Sequence, residues 1–356
     1  MKIIKKLKVI ELFAGLGAYS KALKRLNLNF EVLAAIENDE KTIHSYNLLH
    51  GSNYEPIDIT DVDEKSMPDC DVICYSPPCQ AFSNAGKQLG FEDKRGILFF
   101  DALRIIKEKK PKYCMMENVK GLTQKKFENE FKSMLDSLKE VGYTNYWKVI
   151  NAKDYGIPQN RERVFIISIR SDIDQEFKFP EPTPLRFELK DALDEDAQLP
   201  ILHNIYGGFK EIKPRIFNDH SPTLRTPAGG GHIPSVIVKG CSLRTRSYMG
   251  QPQRLEVRKD DFSNAITTVG KDYMIAIKGV EYNINNLPKG YKVVGDYLTR
   301  ELNQVETFRL MGFDEEDAYI LDKNNVSKRQ MLKMAGNSIV VDVLEKLFVE
   351  LFGLKK

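Results

Sequence analysis

Cys79 stands in SPPCQAFSNAG (Ser76 to Gly86), behind two prolines and directly after the apolar run DVICY. Cys74 and Cys114 lie inside apolar runs, where thiols behave as small buried hydrophobes, whereas Cys79 is set in a turn between Pro78 and Gln80. That placement points to a functional thiol, a nucleophile for covalent catalysis. A thiol hydrolase needs a histidine base, and none of the five histidines (His44, His50, His203, His220, His232) lies in a comparable turn. Glu117 and Asn118 follow the apolar run KYCMM and offer an acid near the same place. In QNRER, the two-residue period of a strand puts Gln159, Arg161 and Arg163 on one face. Two guanidiniums on one side need an anionic partner, which can be Glu117, a substrate oxygen or a phosphate.

Two further features suit a nucleotide-like ligand. FAGLG (Phe13 to Gly17) is a glycine turn between a predicted strand and helix, readable either as a plain tight turn or as a close approach of backbone to ligand. Glu37, about twenty residues on, ends the next predicted strand, where a carboxylate accepts hydrogen bonds from ribose hydroxyls. The dinucleotide fingerprint wants a third glycine where Ser20 stands, which argues against NAD and a nicotinamide oxidoreductase.

The elements that must position these groups alternate. KVIELF, FEVLAAI, DVICYS, KYCMM and RVFIISI read as strands, separated by the amphipathic stretches SKALKRL, DEKTIHSYNLL, ILFFDALRIIKEK and FENEFKSMLDSLKEV. Such alternation predicts an α/β fold, a mostly parallel sheet with helices on both faces, whose ligands bind beyond the carboxyl ends of the strands. Glu11 to Gly17, Glu37, Asp58 (after a third short run), Cys79 and Glu117 then share one rim. FPEPTPLRF, with prolines at 180, 182 and 184, breaks the texture. The predicted division is 1–180 with 325–356 as one domain and 181–324 as a second, smaller and mostly β, containing SVIV, YMIAI, YKVV and a late helix, NQVETFRLMGF. SPTLRTPAGGGHIPSVIV and SNAITTVGKDYMIAI resemble each other, too loosely for a repeat architecture. The tail KMAGNSIVVDVLEKLFVELF reads as an amphipathic helix packing back on the first domain.

Composition excludes several classes. The chain has 356 residues, 42% hydrophobic and 29% charged, the balance of a globular protein, and no apolar run of membrane-spanning length. The start MKIIKKLKVIEL is a basic tail before a strand and lacks a cleavage site, which predicts a cytoplasmic protein. Five cysteines without paired spacing argue against disulfides and structural zinc. The net charge is only +3, but between Ile201 and Asp260 Lys and Arg outnumber Asp and Glu by more than two to one, as a phosphate-facing surface would.

FAGLG, SPPCQAFS, ENV, QNRER and the late GNS, in this order and spacing, resemble the DNA cytosine carbon-5 methyltransferases, and 76–169 looks particularly like the HhaI-type bacterial modification enzymes. The resemblance implies a Rossmann-like fold of the class I S-adenosylmethionine-dependent type with a β-rich target-recognition domain. It places S-adenosyl-L-methionine on Phe13, Gly15, Leu16, Gly17, Glu37, Asn38, Asp58, Ile59, Pro78, Leu98, Asn337 and Ser338. It makes Cys79 the nucleophile, Glu117 the acid at cytosine nitrogen 3 and Arg163 the contact to oxygen 2, with Arg161 and Gln159 in support. The segment after Cys79 resembles the family's loop that closes over a flipped base, and assigns Ser83, Ala85 and Lys87 to DNA. Thr223 and Leu224 resemble the family's Thr-Leu recognition pair, with Arg225, Arg244 and Arg246 as further DNA contacts; Thr267 and Thr268 compete for the pair's role. Departures are Glu11 for an Asp, Ala18 for a Gly, SPP for GFP, Asn38 where an aromatic often stacks on adenine, and Ala85 for a Ser. The expected partner is double-stranded DNA, bound by a monomer away from any membrane, within a restriction-modification system. The alternative is a tRNA cytosine-5 methyltransferase of the same fold, disfavoured by the long stretch between Pro184 and Arg300; a non-catalytic DNA-binding regulator is a third reading.

Overall fold

The computed structural model describes residues 6–78, 98–194, 197–203, 215–224, 235–238, 241–244, 254–256, 274–277, 280–283, 291–294 and 297–354, and the strands within 197–216 and 235–299 as backbone. Its first half alternates β1 (Leu7–Leu12), α1 (Ala18–Arg25), β2 (Phe30–Ile36), α2 (Glu40–His50), β3 (Val72–Tyr75), α3 (Leu98–Lys109), β4 (Tyr113–Val119) and α4 (Glu128–Glu140), then the adjacent strands β5 (Tyr143–Asn151) and β6 (Glu162–Arg170). These six strands form one sheet in the order β2-β1-β3-β4-β6-β5. The first four are parallel, and β6 runs antiparallel to both neighbours.

Both faces of the sheet are covered, and the pleat sorts the side chains between them. In β6, Phe165, Ile167 and Ile169 join a core with α1 and the C-terminal helices, while Val164 and Ile166 join the other core with α3 and α4. Cys74 and Cys114 are fully buried. Strand β5 was not apparent in the sequence. It is an edge strand whose Trp147 is exposed and rests edge-on against Phe131 of α4.

Beyond the prolines, short strands form two antiparallel sheets, β14-β15-β9-β7-β8 and β11-β10-β12-β13. The runs SVIV, YMIAI and YKVV lie on β9 (Ser235–Val238), β12 (Met274–Ile277) and β14 (Tyr291–Val294). The two mutually similar segments end in β9 and β12, which belong to different sheets. The remaining strands are β7 (Ala197–His203), β8 (Arg215–Phe217), β10 (Cys241–Arg244), β11 (Arg254–Glu256), β13 (Val280–Asn283) and β15 (Tyr297–Glu301).

The structure corrects two expectations at the C-terminal end. α5 (Gln304–Leu310) and α6 (Glu315–Lys323), placed above in the second domain, pack into the core of the first: Phe308, Leu310, Met311, Phe313, Ala318 and Leu321 share one buried cluster with α1. Lys21 of α1 pairs with Asp317 and Asp314, and Arg25 donates to the Gly312 carbonyl at 2.6 Å. The texture therefore changes back near Leu302 rather than at 324. The tail is also two helices, α7 (Lys328–Asn337) and α8 (Val341–Phe352), because Ser338 is extended and ends α7.

Candidate active site

A cavity of about 390 Å³ opens at the carboxyl ends of β1, β2, β3 and β4, closed on its far side by α7. Its walls include Phe13, Gly15, Glu37, Asn38, Asp58, Ile59, Pro78, Leu98, Glu117, Arg161, Arg163, Asn337 and Ser338. Thirteen positions singled out in the sequence thus converge, as a parallel sheet requires. Asp58 arrives by a different route from the one expected, since no strand precedes it; it caps a short 3-10 turn over Ile59–Asp61.

The glycine turn divides its labour. Phe13, Gly15 and Gly17 all have left-handed backbone, and a Cβ on Gly15, at the cavity wall, would meet only the Phe13 carbonyl oxygen, at 4.0 Å. Gly17 faces the other way, where a Cβ would overlap His50 Nε2 and Tyr46 Cε2. Leu16 and Gly17, assigned to the cofactor, do not line the cavity: Leu16 is buried, and its carbonyl meets His50 Nε2 at 2.9 Å. Behind the turn, Glu11 is fully buried; Ser20 Oγ donates to its Oε1 at 2.5 Å, and its Oε2 has no hydrogen-bond partner among the described residues. Burial pushes the Glu11 carboxyl up to about 7.

Glu37 holds the turn to the next helix. Its Oε2 accepts from the Gly15 N–H at 3.1 Å and its Oε1 from the Asp39 N–H at 3.0 Å. A carboxylate has about four acceptor positions, so roughly two remain for a ligand's hydroxyls. Burial raises its pKa from the ordinary value, against the backbone N–H donors that lower it. Asp58 is held low instead by the Thr60 N–H and hydroxyl and by Asn38 Nδ2. Asp39, Thr42, Ile57, Lys333 and Met334 also line the cavity. Lys333 Nζ bridges to Asp39 at 2.8 Å and so joins α7 to the start of α2.

On the opposite wall, Glu117 and Arg163 form a pair. Arg163 faces Val119 across the β4–β6 ladder, so the pleat sets it on the same face as Glu117, and Arg163 Nε meets Glu117 Oε1 at 3.0 Å. Burial still raises the Glu117 pKa, against the opposing pull of Arg163 and Arg161. Asn118, which sequence reasoning noted without a role, donates to the Pro77 carbonyl at 3.2 Å. Tyr19 meets the Tyr75 carbonyl and Ser76 Oγ at 3.3 and 3.1 Å. Together they fix the Ser76–Pro78 segment that leads into Cys79. Their signal in the sequence is only proximity to a motif.

Gln159 and Arg161 are buried braces. Gln159 donates to the Leu310 carbonyl at 2.6 Å and accepts from the Leu224 N–H at 3.3 Å; it does not line the cavity. Arg161 donates to the carbonyls of Leu224, Gly336 and Ser338 at 3.0, 3.1 and 2.7 Å. Of the residues assigned to DNA, Leu224 is buried and Thr223 gives its hydroxyl to the Asn160 carbonyl at 2.6 Å. Cys79, Ser83, Ala85, Lys87, Arg225, Arg246, Thr267, Thr268 and the Arg244 side chain lie outside the described residues.

This is the architecture of the Rossmann-like methyltransferases, with the ligand cavity on the carboxyl rim. Over residues 7–353 the chain matches the family model of the C-5 cytosine-specific DNA methylases, and it belongs to that family. It is 36% identical over 342 residues to the type II methyltransferase M.HhaI of Haemophilus parahaemolyticus, spanning 95% of this chain and 92% of that one. It is 31% identical to M.HaeII of Haemophilus aegyptius, spanning 97% and 92%. Its fold is similar to that of the S. pombe Dnmt2 methyltransferase, with a TM-score of 0.61 at 19% identity over 98% of this chain and 99% of that one. The chain is accordingly a DNA cytosine-5 methyltransferase. Among the described residues no helix is long and apolar enough to cross a membrane.

Proposed function

We propose that the cavity binds S-adenosylmethionine and that the Glu117–Arg163 wall receives a cytosine extruded from duplex DNA. The observation that carries this is the placement of the Glu117–Arg163 pair in the same cavity as Glu37 and the glycine turn, at the exit of the segment ending in Pro78. The residues fit the cofactor: Glu37 has acceptor capacity for ribose hydroxyls, and Phe13, Ile57, Ile59 and Leu98 give apolar walls for a base. When bound, S-adenosylmethionine supplies the methyl group as a sulfonium electrophile.

Carbon 5 of cytosine is a poor nucleophile. The Cys79 thiolate adds to carbon 6, and Glu117 gives its proton to nitrogen 3, so the ring becomes an enamine with electron density at carbon 5. Burial favours the protonated form of this carboxyl, against the opposing pull of Arg163 and Arg161. Arg163 stabilises the charge developing at oxygen 2. After carbon 5 has taken the methyl group, loss of its proton to water, elimination of the Cys79 thiolate and return of the nitrogen 3 proton to Glu117 restore the aromatic ring and the acid. Extrusion of the base costs a few kcal/mol, which contacts from the antiparallel sheets and from the segment after Cys79 offset. Those sheets serve as the target-recognition part, with Arg225, Arg244 and Arg246 as candidate groove or phosphate contacts.

The test is incubation with labelled S-adenosylmethionine and either duplex DNA or tRNA, followed by bisulfite sequencing of DNA from expressing cells. Label at carbon 5 of DNA cytosine, lost in Cys79→Ser while DNA binding persists, is the expected result. Label confined to tRNA, or an active Cys79→Ser enzyme, overturns the reading.

A further inference from the structure

The largely buried segment 158–161 joins two parts of the molecule that no local pattern connects. Ser221 is zipped to it as a short parallel strand: Asn160 N–H donates to the Ser221 carbonyl and Ser221 N–H to the Pro158 carbonyl, both at 2.8 Å. Thr223 and Leu224 continue the attachment through Asn160 and Gln159. The next residue inward, Arg161, then spans from the Leu224 carbonyl to the Gly336 and Ser338 carbonyls. Gly336 and Ser338 line the cofactor cavity, and Leu224 lies within the basic 201–260 stretch read above as phosphate-facing. Arg161, only 3% exposed, is therefore shared through its guanidinium by the segment that enters the recognition sheets and the turn that closes the cavity.

We propose that Arg161 is a positioning residue that couples the two ligand sites, so that a change of the Thr223–Leu224 segment on DNA binding is transmitted to the Gly336–Ser338 turn and tightens the hold on the cofactor. This rests on the reading of the recognition sheets and the cavity given above. The planar guanidinium is the group that makes such a bridge, since its five donors are held in a fixed fork, whereas a lysine ammonium is a single point of attachment. Coupling between sites is reciprocal: whatever factor DNA contributes to cofactor affinity, the cofactor contributes to DNA affinity.

The experiment measures the affinity of S-adenosylhomocysteine, which cannot react, with and without a duplex bearing the sequence found methylated by bisulfite sequencing. The wild-type protein should bind it about tenfold more tightly on DNA, within the ordinary range of coupling between two sites. Arg161→Lys, which keeps the charge but not the fork, should reduce that ratio to about twofold or less. Thr223→Val, which removes the bond to the Asn160 carbonyl and lies away from the cavity, should lower the ratio as well when measured at saturating duplex, so that any weaker DNA contact does not enter it, and carries the test if Arg161→Lys does not fold. A residue that merely braces the fold would lower the melting temperature and weaken both ligands while leaving the ratio intact, and that outcome overturns the proposal. A wild-type protein that methylates DNA but shows no ratio above one overturns it too, without touching the assignment of the reaction.

Discussion

Replacing Glu11 by Gln should stabilise this protein at neutral and alkaline pH and do almost nothing in acid. Glu11 is fully buried behind the glycine turn, with a hydroxyl from Ser20 on one oxygen and, among the described residues, no hydrogen-bond partner on the other. Burial raises its folded pKa from 4.5 to about 7. A raised carboxyl pKa means that the folded state prefers the protonated form, so its contribution is intact below the unfolded pKa and is lost as pH rises through the folded one. The gap of roughly 2.5 units, at about 1.4 kcal/mol each, sets a loss of about 3 kcal/mol above pH 7. Gln keeps an oxygen for Ser20 and never ionises. Denaturant unfolding of both proteins at intervals from pH 4.5 to 8.5 should show curves that nearly coincide in acid and separate by about 3 kcal/mol, variant above wild type, once pH passes 7. A separation that is independent of pH, or a variant that falls below wild type as pH rises, would refute the reasoning.

Two other outcomes follow from the site. Glu117→Gln should lower the turnover number by roughly 10²- to 10⁴-fold while S-adenosylhomocysteine still binds, because only the proton donor is lost; single-turnover methylation with tritiated donor checks it, and a rate within tenfold of wild type contradicts the acid role. Gly17→Ala should cost about 2 kcal/mol or more of stability, since a side chain there meets His50 and Tyr46 on a left-handed backbone; an unchanged thermal midpoint would mean that α2 yields more easily than its packing suggests.

The rim was legible because strand period and chemistry coincide. Each parallel strand is a short apolar run, and the residue types at its end (Gly15, Glu37, Pro78, Glu117) differ sharply from the run itself. Other parts are hidden for physical reasons. β5 carries YTNYWKVIN, with neither clean alternation nor full burial, because it is the sheet's edge and leaves Trp147 in solvent. The break between α7 and α8 falls inside a stretch of even apolar spacing, so only Ser338's extended backbone reveals it. α5 and α6 look like neighbours of the β-rich segment in sequence and belong elsewhere in space, held by Lys21 and Arg25 across nearly three hundred residues. Separation along the chain also concealed Arg161: a pattern can put it on a face with Arg163, but not say that its partners are carbonyls at 224, 336 and 338.

Because one wall of the cavity comes from residues before 164 and the other from 333–338, the pocket is completed late in the life of a nascent chain. A ribosome adding roughly 5–20 residues per second must finish the whole intervening β-rich region before α7 can close the site. During that interval the opening sheet stands with the cluster that should receive α8 uncovered, so the unfinished molecule is at once unable to hold its cofactor and most exposed to aggregation.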